Sequence, residues 1–113
     1  VTLFMPAQYF RPGDRCNLTA DLSNPGPTAA GLPLFVVLDV FDQYFFWDDW
    51  TSELDFWVSD IPKGHTVQIV IPEFTWPQIS SSAAGLQFIG ALTDPDITQI
   101  IGEYDIWEFS YGP

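Results

Sequence analysis

The chain has 113 residues, of which 47% are hydrophobic and 17% aromatic, and it carries 15 acidic side chains against three basic ones. A length of this order predicts one domain, residues 1–113, with enough apolar content for one core. The formal net charge of −12 would repel nucleic-acid phosphates and anionic lipid surfaces, so we expect neither as a partner. No apolar run is long enough to span a bilayer, and membrane insertion is not expected.

The elements predicted from the start of the chain are extended. Val1 to Phe10 is an apolar segment broken by Pro6, and RPGD at 11–14 has proline and glycine where a β-turn uses them. CNLTADLSN then alternates, which predicts a half-buried strand whose inward residues are Cys16, Leu18, Ala20 and Leu22. Because Cys16 is the only cysteine, we expect a buried thiol and no internal disulfide, with an interchain disulfide as the alternative.

The segment Leu32 to Asp42 is apolar on both faces, which predicts a central strand. Further along, TVQIVIP predicts a strand with Val67, Ile69 and Ile71 turned inward. GLQFIGALTD and the final IIGEYDIWEFSYGP predict two more strands. With proline- and glycine-rich turns between them, the pattern indicates an all-β fold, an immunoglobulin-like β-sandwich of about seven strands. A jelly roll is the alternative.

The first third of the chain carries a recognisable order of motifs: Pro12, Gly13 and Asp14, an alternating strand, then Asn24 and Gly26 before the next strand. This order resembles the start of CARDB-like and related immunoglobulin-like modules of secreted bacterial and archaeal proteins. IPEFTWP, GLQFIGALTDP and GEYDIWEF are similar to segments of a module repeated in large surface proteins of environmental bacteria. The resemblance implies an extracellular or bacterial cell-surface location. It also implies a non-catalytic role as a spacer, an adhesive part or an assembly unit.

The stretch FDQYFFWDDW, residues 41–50, combines six aromatic rings with three aspartates. Strict alternation would place rings on both faces, and a small two-layer domain can bury only one set. The residues predicted to contact a protein partner or a glycan are Tyr44, Phe45, Phe46, Trp47 and Trp50. A protein partner, including copies of the chain, is the first hypothesis. The others are rings that cap the core without a partner, and a carbohydrate-binding module using Trp47, Trp50, Trp57 or Trp76.

Residues that could support catalysis are few. His65 is the only histidine and lies in a turn, while Cys16 is expected in the core, so neither a catalytic triad nor a four-ligand zinc site is expected. With 15 acids, some carboxylate pair will always have a glycosidase-like separation, so such a pair indicates little. We therefore expect no enzyme and no cofactor. Calcium held by loop aspartates is an alternative, although the D-x-D-x-D-G spacing is absent.

The first segment suggests a mode of assembly. Val1 to Phe10 is more apolar than an edge strand usually is, and a terminal strand of this kind can pair with a neighbour's sheet to build a filament. The residues predicted to be exchanged are Val1, Leu3, Phe4, Met5, Tyr9 and Phe10. Ordinary pairing within the same domain is the alternative. The start at Val1 without a signal-like segment is expected of a processed subunit or of an excised domain.

Overall fold

The computed structural model describes residues 1–113 and contains nine β-strands and no helix. The strands are β1 (Thr2–Phe4), β2 (Tyr9–Phe10), β3 (Arg15–Asn24), β4 (Ala29–Val40), β5 (Gln43–Phe46), β6 (Trp57–Ile61), β7 (Gly64–Thr75), β8 (Ala83–Thr93) and β9 (Ile100–Tyr111). They form a small sheet in the order β1-β3-β7 and a large sheet in the order β2-β9-β8-β4-β5, in which β6 also pairs with β4. The structure has no helix long and apolar enough to cross a membrane.

The N-terminal segment contributes a strand to each sheet. β1 pairs antiparallel with β3, and after Pro6 the chain crosses over so that β2 runs parallel to β9. The prediction of an all-β, immunoglobulin-like β-sandwich is confirmed, with the small sheet β1-β3-β7 packed on the large sheet that contains β9-β8-β4. The strands number nine because the first segment divides at Pro6 and because β5 extends the large sheet beside β4.

The core lies between the two sheets and follows the period-two pattern of the strands. On β3, Cys16, Leu18, Ala20 and Leu22 are all buried, as their alternation predicted. β4 is central, since it pairs with β8 on one side and with both β5 and β6 on the other. The core cluster joins 17 buried residues from both sheets. Full burial of a large apolar side chain stabilises the fold by roughly 1.5–3 kcal/mol, so this cluster is the main source of stability.

The prediction for the side chains of β7 is wrong in the first half of that strand. Val67 and Ile69 are 63% and 59% exposed, whereas Gln68 turns toward the core because it lies opposite the buried Ala20. The β3–β7 register shifts further along, and beyond the shift Ile71 packs against the core as predicted. A bulge moves the following side chains to the other face, so one alternation cannot be read through it.

Candidate interaction surface

The β4–β5 hairpin sets the direction of every aromatic ring in residues 41–50. Phe41 and Asp42 have φ of 51° and 68°, so these two residues form the turn and the strand resumes at Gln43. The N–H of Asp42 donates to Asp39 Oδ1 over 3.0 Å, which stabilises the turn. Strict alternation through residues 41–50 is therefore wrong, because β5 is short and has a turn at each end.

Of the five residues predicted to contact a partner, Trp47 is buried in the core and Trp50 packs against the core. Trp47 is 5% exposed and stacks on Trp57 with 5.8 Å between ring centroids, and Trp50 meets Phe88 edge-on at 5.7 Å. The N–H of Trp47 donates to the carbonyl oxygen of Val36, which is itself fully buried. The placement of Trp47 on a contact surface is therefore corrected, since its ring belongs to the hydrophobic core, whereas Trp50 is half-buried at the edge of that core.

The other three predicted contact residues lie on β5 and divide between its two faces. Phe45 lies opposite Leu38, which packs against the core, and Phe45 is half-buried on this inner side. Tyr44 and Phe46 point to the outer face of the large sheet, where Tyr44 is exposed and Phe46 half-buried. Only Tyr44 and Phe46 of the five therefore belong to an outward-facing surface.

An apolar row crosses four strands on the outer face of the large sheet. The strand registers place Phe46 opposite Val37, Val37 opposite Ile89, and Ile89 opposite Ile106. Directly opposed residues share a face, so these four side chains form one band. Ile106 is 44% exposed and the other three are half-buried. Tyr104, exposed and two residues before Ile106 on β9, extends the apolar row at its end.

A row of four residues that includes two acids, the acidic row, lies beside the apolar row, two residues away along each strand. The registers place Tyr44 opposite Asp39, Asp39 opposite Gln87, and Gln87 opposite Glu108. None of the three basic residues of the chain lies in β4, β5, β8 or β9. The outer face of the large sheet is thus an apolar band with a negatively charged flank.

The apolar row was missed in the sequence because its members sit at outward positions between core residues. Ile89 stands between Phe88 and Gly90, on the outward face of β8, and the inward alternation of that strand does not include it. The available signal was the apolar character of both faces of β4, which made Val37 an outward-facing apolar residue. Which outward residues of β8 and β9 lie next to Val37 depends on the strand register.

Several aspartates have structural partners in turns. Asp39 accepts the N–H of Asp42, and Asp55 accepts the N–H groups of Asp48 and Phe56. Such bonds stabilise turns whether or not an ion is present. No group of three or more histidine, cysteine, aspartate or glutamate residues converges as a metal site.

Asp94 shows the same kind of turn in the loop between β8 and β9. Its carboxylate accepts the hydroxyl and the N–H of Thr98 and the N–H of Gln99. These bonds, that of the Thr98 hydroxyl foremost, hold the pKa of Asp94 below its usual value.

The N-terminal segment lies on its own sandwich. Of the residues predicted to be exchanged, Leu3, Met5 and Phe10 are buried, Val1 is half-buried, and Phe4 and Tyr9 are exposed. The N–H of Leu3 donates to Asp105 Oδ2 on β9 over 2.8 Å. A Cβ atom at Gly90 would lie 2.8 Å from Leu3 Cδ2, so β8 has room for Leu3 only because residue 90 is glycine. The N-terminal segment is therefore closely fitted into a groove beside β8 and β9.

The two residues that could act as nucleophile and base lie in different environments, one buried and the other exposed. Cys16 is buried, and burial raises the pKa of its thiol. His65 is exposed, and its Nδ1 lies 3.2 Å from Asp21 Oδ1. A buried thiol and a surface imidazole do not form a nucleophile and base pair. Burial also removes the Cys16 sulfur from the surface that an interchain disulfide would need.

The tryptophans considered for sugar stacking are mostly inside the protein. Trp47 is buried in the core, Trp50 packs against the core, and Trp76 is stacked between Phe10 and Tyr111. Trp57 is the one with a substantially exposed ring, at 44%.

Comparison with known proteins adds no family to this description. No protein-family model matches the chain, and no curated protein matches it either. The resemblance to CARDB-like modules is thus supported at the level of a two-sheet β-sandwich.

Proposed function

We propose that the chain is a non-catalytic structural and adhesive module of the CARDB-like kind, located outside the cell or on its surface, that binds a protein partner. The apolar row on the outer face of the large sheet is the observation that carries this proposal. Its end is open to solvent at Ile106 and Tyr104. Contiguous apolar surface on a soluble domain is typical of an interaction site, and aromatic residues at such sites supply much of the binding energy.

Charge complementarity selects the kind of partner. The acidic row contributes Asp39 and Glu108 beside the apolar row, and the whole chain carries a net charge of −12. A second copy placed face to face would set like charges against each other, which disfavours association. We therefore expect a protein with an apolar strip bordered by lysine or arginine. Salt should weaken its association, because the charged flank is exposed to solvent.

Selection from a phage-displayed random peptide library tests this function. We expect enriched peptides to combine apolar residues with lysine or arginine, and to bind Ile106→Ser roughly tenfold more weakly than the wild type. Val67→Ser is the matched control, because Val67 is an exposed apolar residue on the small sheet. Peptides that lack basic residues, or that bind Ile106→Ser as well as the wild type, would contradict the proposal.

Strand exchange between copies is a second candidate function. Val1 to Phe10 places three side chains in the core, yet β1 and β2 together contain only five residues. The turn at 11–14 connects the segment to β3, with the N–H of Asp14 bonded to the carbonyl oxygen of Arg11. The groove of one copy has the shape to accept the segment of another.

Light scattering and negative-stain imaging test strand exchange on the whole chain and on a chain lacking residues 1–10. Ordered polymers formed only by the whole chain would support exchange. A whole chain that stays monomeric at every concentration would rule it out. Unfolding of the shortened chain beside a monomeric whole chain would show that the segment serves its own sandwich.

A carbohydrate-binding module remains the alternative from another class, and the structure moves its test to Trp57. Affinity electrophoresis on a polysaccharide panel would show retardation that Trp57→Ala abolishes. Sugar stacking by a single ring is worth less than stacking on a platform of several rings, so weak retardation is expected at most. Absence of retardation on every glycan would end this alternative.

A further inference from the structure

The outer edge of β9 is paired over only a small part of its length. β2 pairs with the last two of the 12 residues of β9. The N–H of Ser110 donates to the carbonyl oxygen of Gln8 over 2.9 Å, so the backbone groups of Ser110 point to this edge. Backbone direction alternates along a strand, which gives Glu108 and Ile106 the same direction. No backbone bond joins either of them to the N-terminal segment, so their N–H and C=O groups are free.

The edge is open because the N-terminal segment approaches β9 only at its end. The segment pairs with the small sheet through β1 and reaches β9 after Pro6. The carbonyl oxygen of Ala7 accepts the indole N–H of Trp107 instead of a backbone N–H of β9. An open groove of about 260 Å³ lies at this point, lined by Gln8, Glu108, Phe109 and Ser110. The groove therefore lies beside the free backbone groups of β9.

The side chains at this edge favour an extended segment that is both apolar and basic. Ile106 and Tyr104 are exposed at the end of the apolar row, and Glu108 lies two residues further along β9 on the same face. An added strand would set an apolar residue opposite Ile106 and a lysine or arginine opposite Glu108. A second copy paired through β9 would bring Glu103 and Glu108 close to the same acids of its partner, which disfavours self-pairing.

We propose that the protein partner adds an extended strand to the free edge of β9, antiparallel to it. The inference rests on the proposed function and gives that partner a binding mode. The residue of the partner opposite Ile106 donates its N–H to the carbonyl oxygen of Ile106 and accepts the N–H of Ile106. Its apolar side chain extends the apolar row to a fifth strand. A lysine or arginine two residues away lies beside Glu108 at the groove.

N-methylated peptides separate an added strand from contact through side chains alone. The probe is the acetylated, amidated peptide Thr-Lys-Thr-Val-Thr-Phe-Thr, whose valine lies opposite Ile106 and whose lysine lies opposite Glu108 in antiparallel pairing. One variant is N-methylated at the valine, and the matched control is N-methylated at the threonine that follows it, where the N–H points away from β9. Binding is measured on the whole chain from backbone amide signals in ¹⁵N NMR titrations.

We expect the unmodified peptide to shift the amide proton of Ile106 downfield, because that N–H gains an acceptor. N-methylation of the valine should weaken binding about tenfold, whereas N-methylation of the threonine should leave the affinity unchanged. Glu108→Gln should weaken binding about two- to fivefold by removing an exposed ion pair. Glu73→Gln is the matched control, because Glu73 is an exposed acid on the small sheet.

The outcomes distinguish the binding mode from the function on which it rests. Binding that Ile106→Ser weakens but that N-methylation of the valine does not change would overturn the added strand and leave the proposed function standing. Binding that Ile106→Ser does not affect, or the absence of saturable binding, would overturn both. Amide shifts of Ile106 and Glu108 that grow with protein concentration without peptide would show that a second copy occupies the edge, and would overturn the basic strand.

Discussion

A methyl group added at position 90 should disturb the packing of the N-terminal segment. A Cβ atom built on Gly90 lies 2.8 Å from Leu3 Cδ2 and 3.2 Å from Val1 Cγ1, both closer than ordinary van der Waals contact. Leu3 is 1% exposed and its N–H is bonded to Asp105, so it has little room to move. We predict that Gly90→Ala lowers the free energy of unfolding by about 1–3 kcal/mol, the usual range for overpacking a core.

A double-mutant cycle with Leu3→Ala tests whether contact with Leu3 causes the loss of stability in Gly90→Ala. Leu3→Ala alone should lower the free energy of unfolding by about 2–5 kcal/mol. It also removes the atoms that the new methyl group would meet, so the double mutant should be more stable than the sum of the single changes by about 1–2 kcal/mol. Gly26→Ala is the control, because its added Cβ would meet nothing closer than Asn24 Oδ1 at 3.7 Å.

Urea denaturation followed by tryptophan fluorescence and by circular dichroism measures the four proteins of the cycle and the Gly26→Ala control, with free energies obtained by linear extrapolation. Coincident transitions from the two signals are needed for a two-state treatment. Losses that add to within about 0.5 kcal/mol would show that residues 3 and 90 do not touch. The placement of the N-terminal segment in its own groove would then be wrong, and so would the account of why residue 90 is glycine.

Three further predictions concern single residues. Asp105→Ala leaves the N–H of Leu3 without its acceptor and should lower the free energy of unfolding by about 1–3 kcal/mol in urea denaturation; an unchanged midpoint would contradict this. Burial raises the pKa of Cys16, so Ellman's reagent should modify this thiol only in denaturant, and rapid reaction of the folded protein would refute its burial. Bonds from Thr98 hold the pKa of Asp94 below its usual 3.8, so its stabilising contribution is complete above that pH and is lost as the pH falls through the lower folded-state pKa. Thr98→Val should raise the pKa of Asp94 in a carboxyl ¹³C titration, and an unchanged pKa would show that other groups set it.

The local alternation of side chains predicted much of the fold. The burial of Cys16, Leu18, Ala20 and Leu22 on β3 follows from a period of two along the strand, which needs no knowledge of the partner strand. The central place of β4 follows from its two apolar faces, because only a strand with neighbours on both sides and cover on both faces keeps such residues from water. These features belong to single strands.

Strand register and turns decided the side-chain directions that the alternation did not predict. Val67 and Ile69 face solvent because β7 pairs with β3 in a register that shifts further along, and this shift has no mark in the sequence of β7 alone. Trp47 packs inward because Phe41 and Asp42 form a turn in spite of lacking glycine, which ends the alternation that began in β4. Trp50 packs against the core because a second turn follows β5, with a φ of 56° at Trp50 and its N–H bonded to the carbonyl oxygen of Phe46.

The sequence by itself determined an acidic, all-β chain with apolar strands, since charge and period-two alternation are properties of neighbouring residues. The apolar row became visible only when the pairing of β5, β4, β8 and β9 brought Phe46, Val37, Ile89 and Ile106 side by side. Likewise, Trp76 is stacked between Phe10 and Tyr111 only because the two sheets pack on each other. Both features join residues far apart in the chain, and their positions depend on register and inter-sheet contact, which no local pattern fixes.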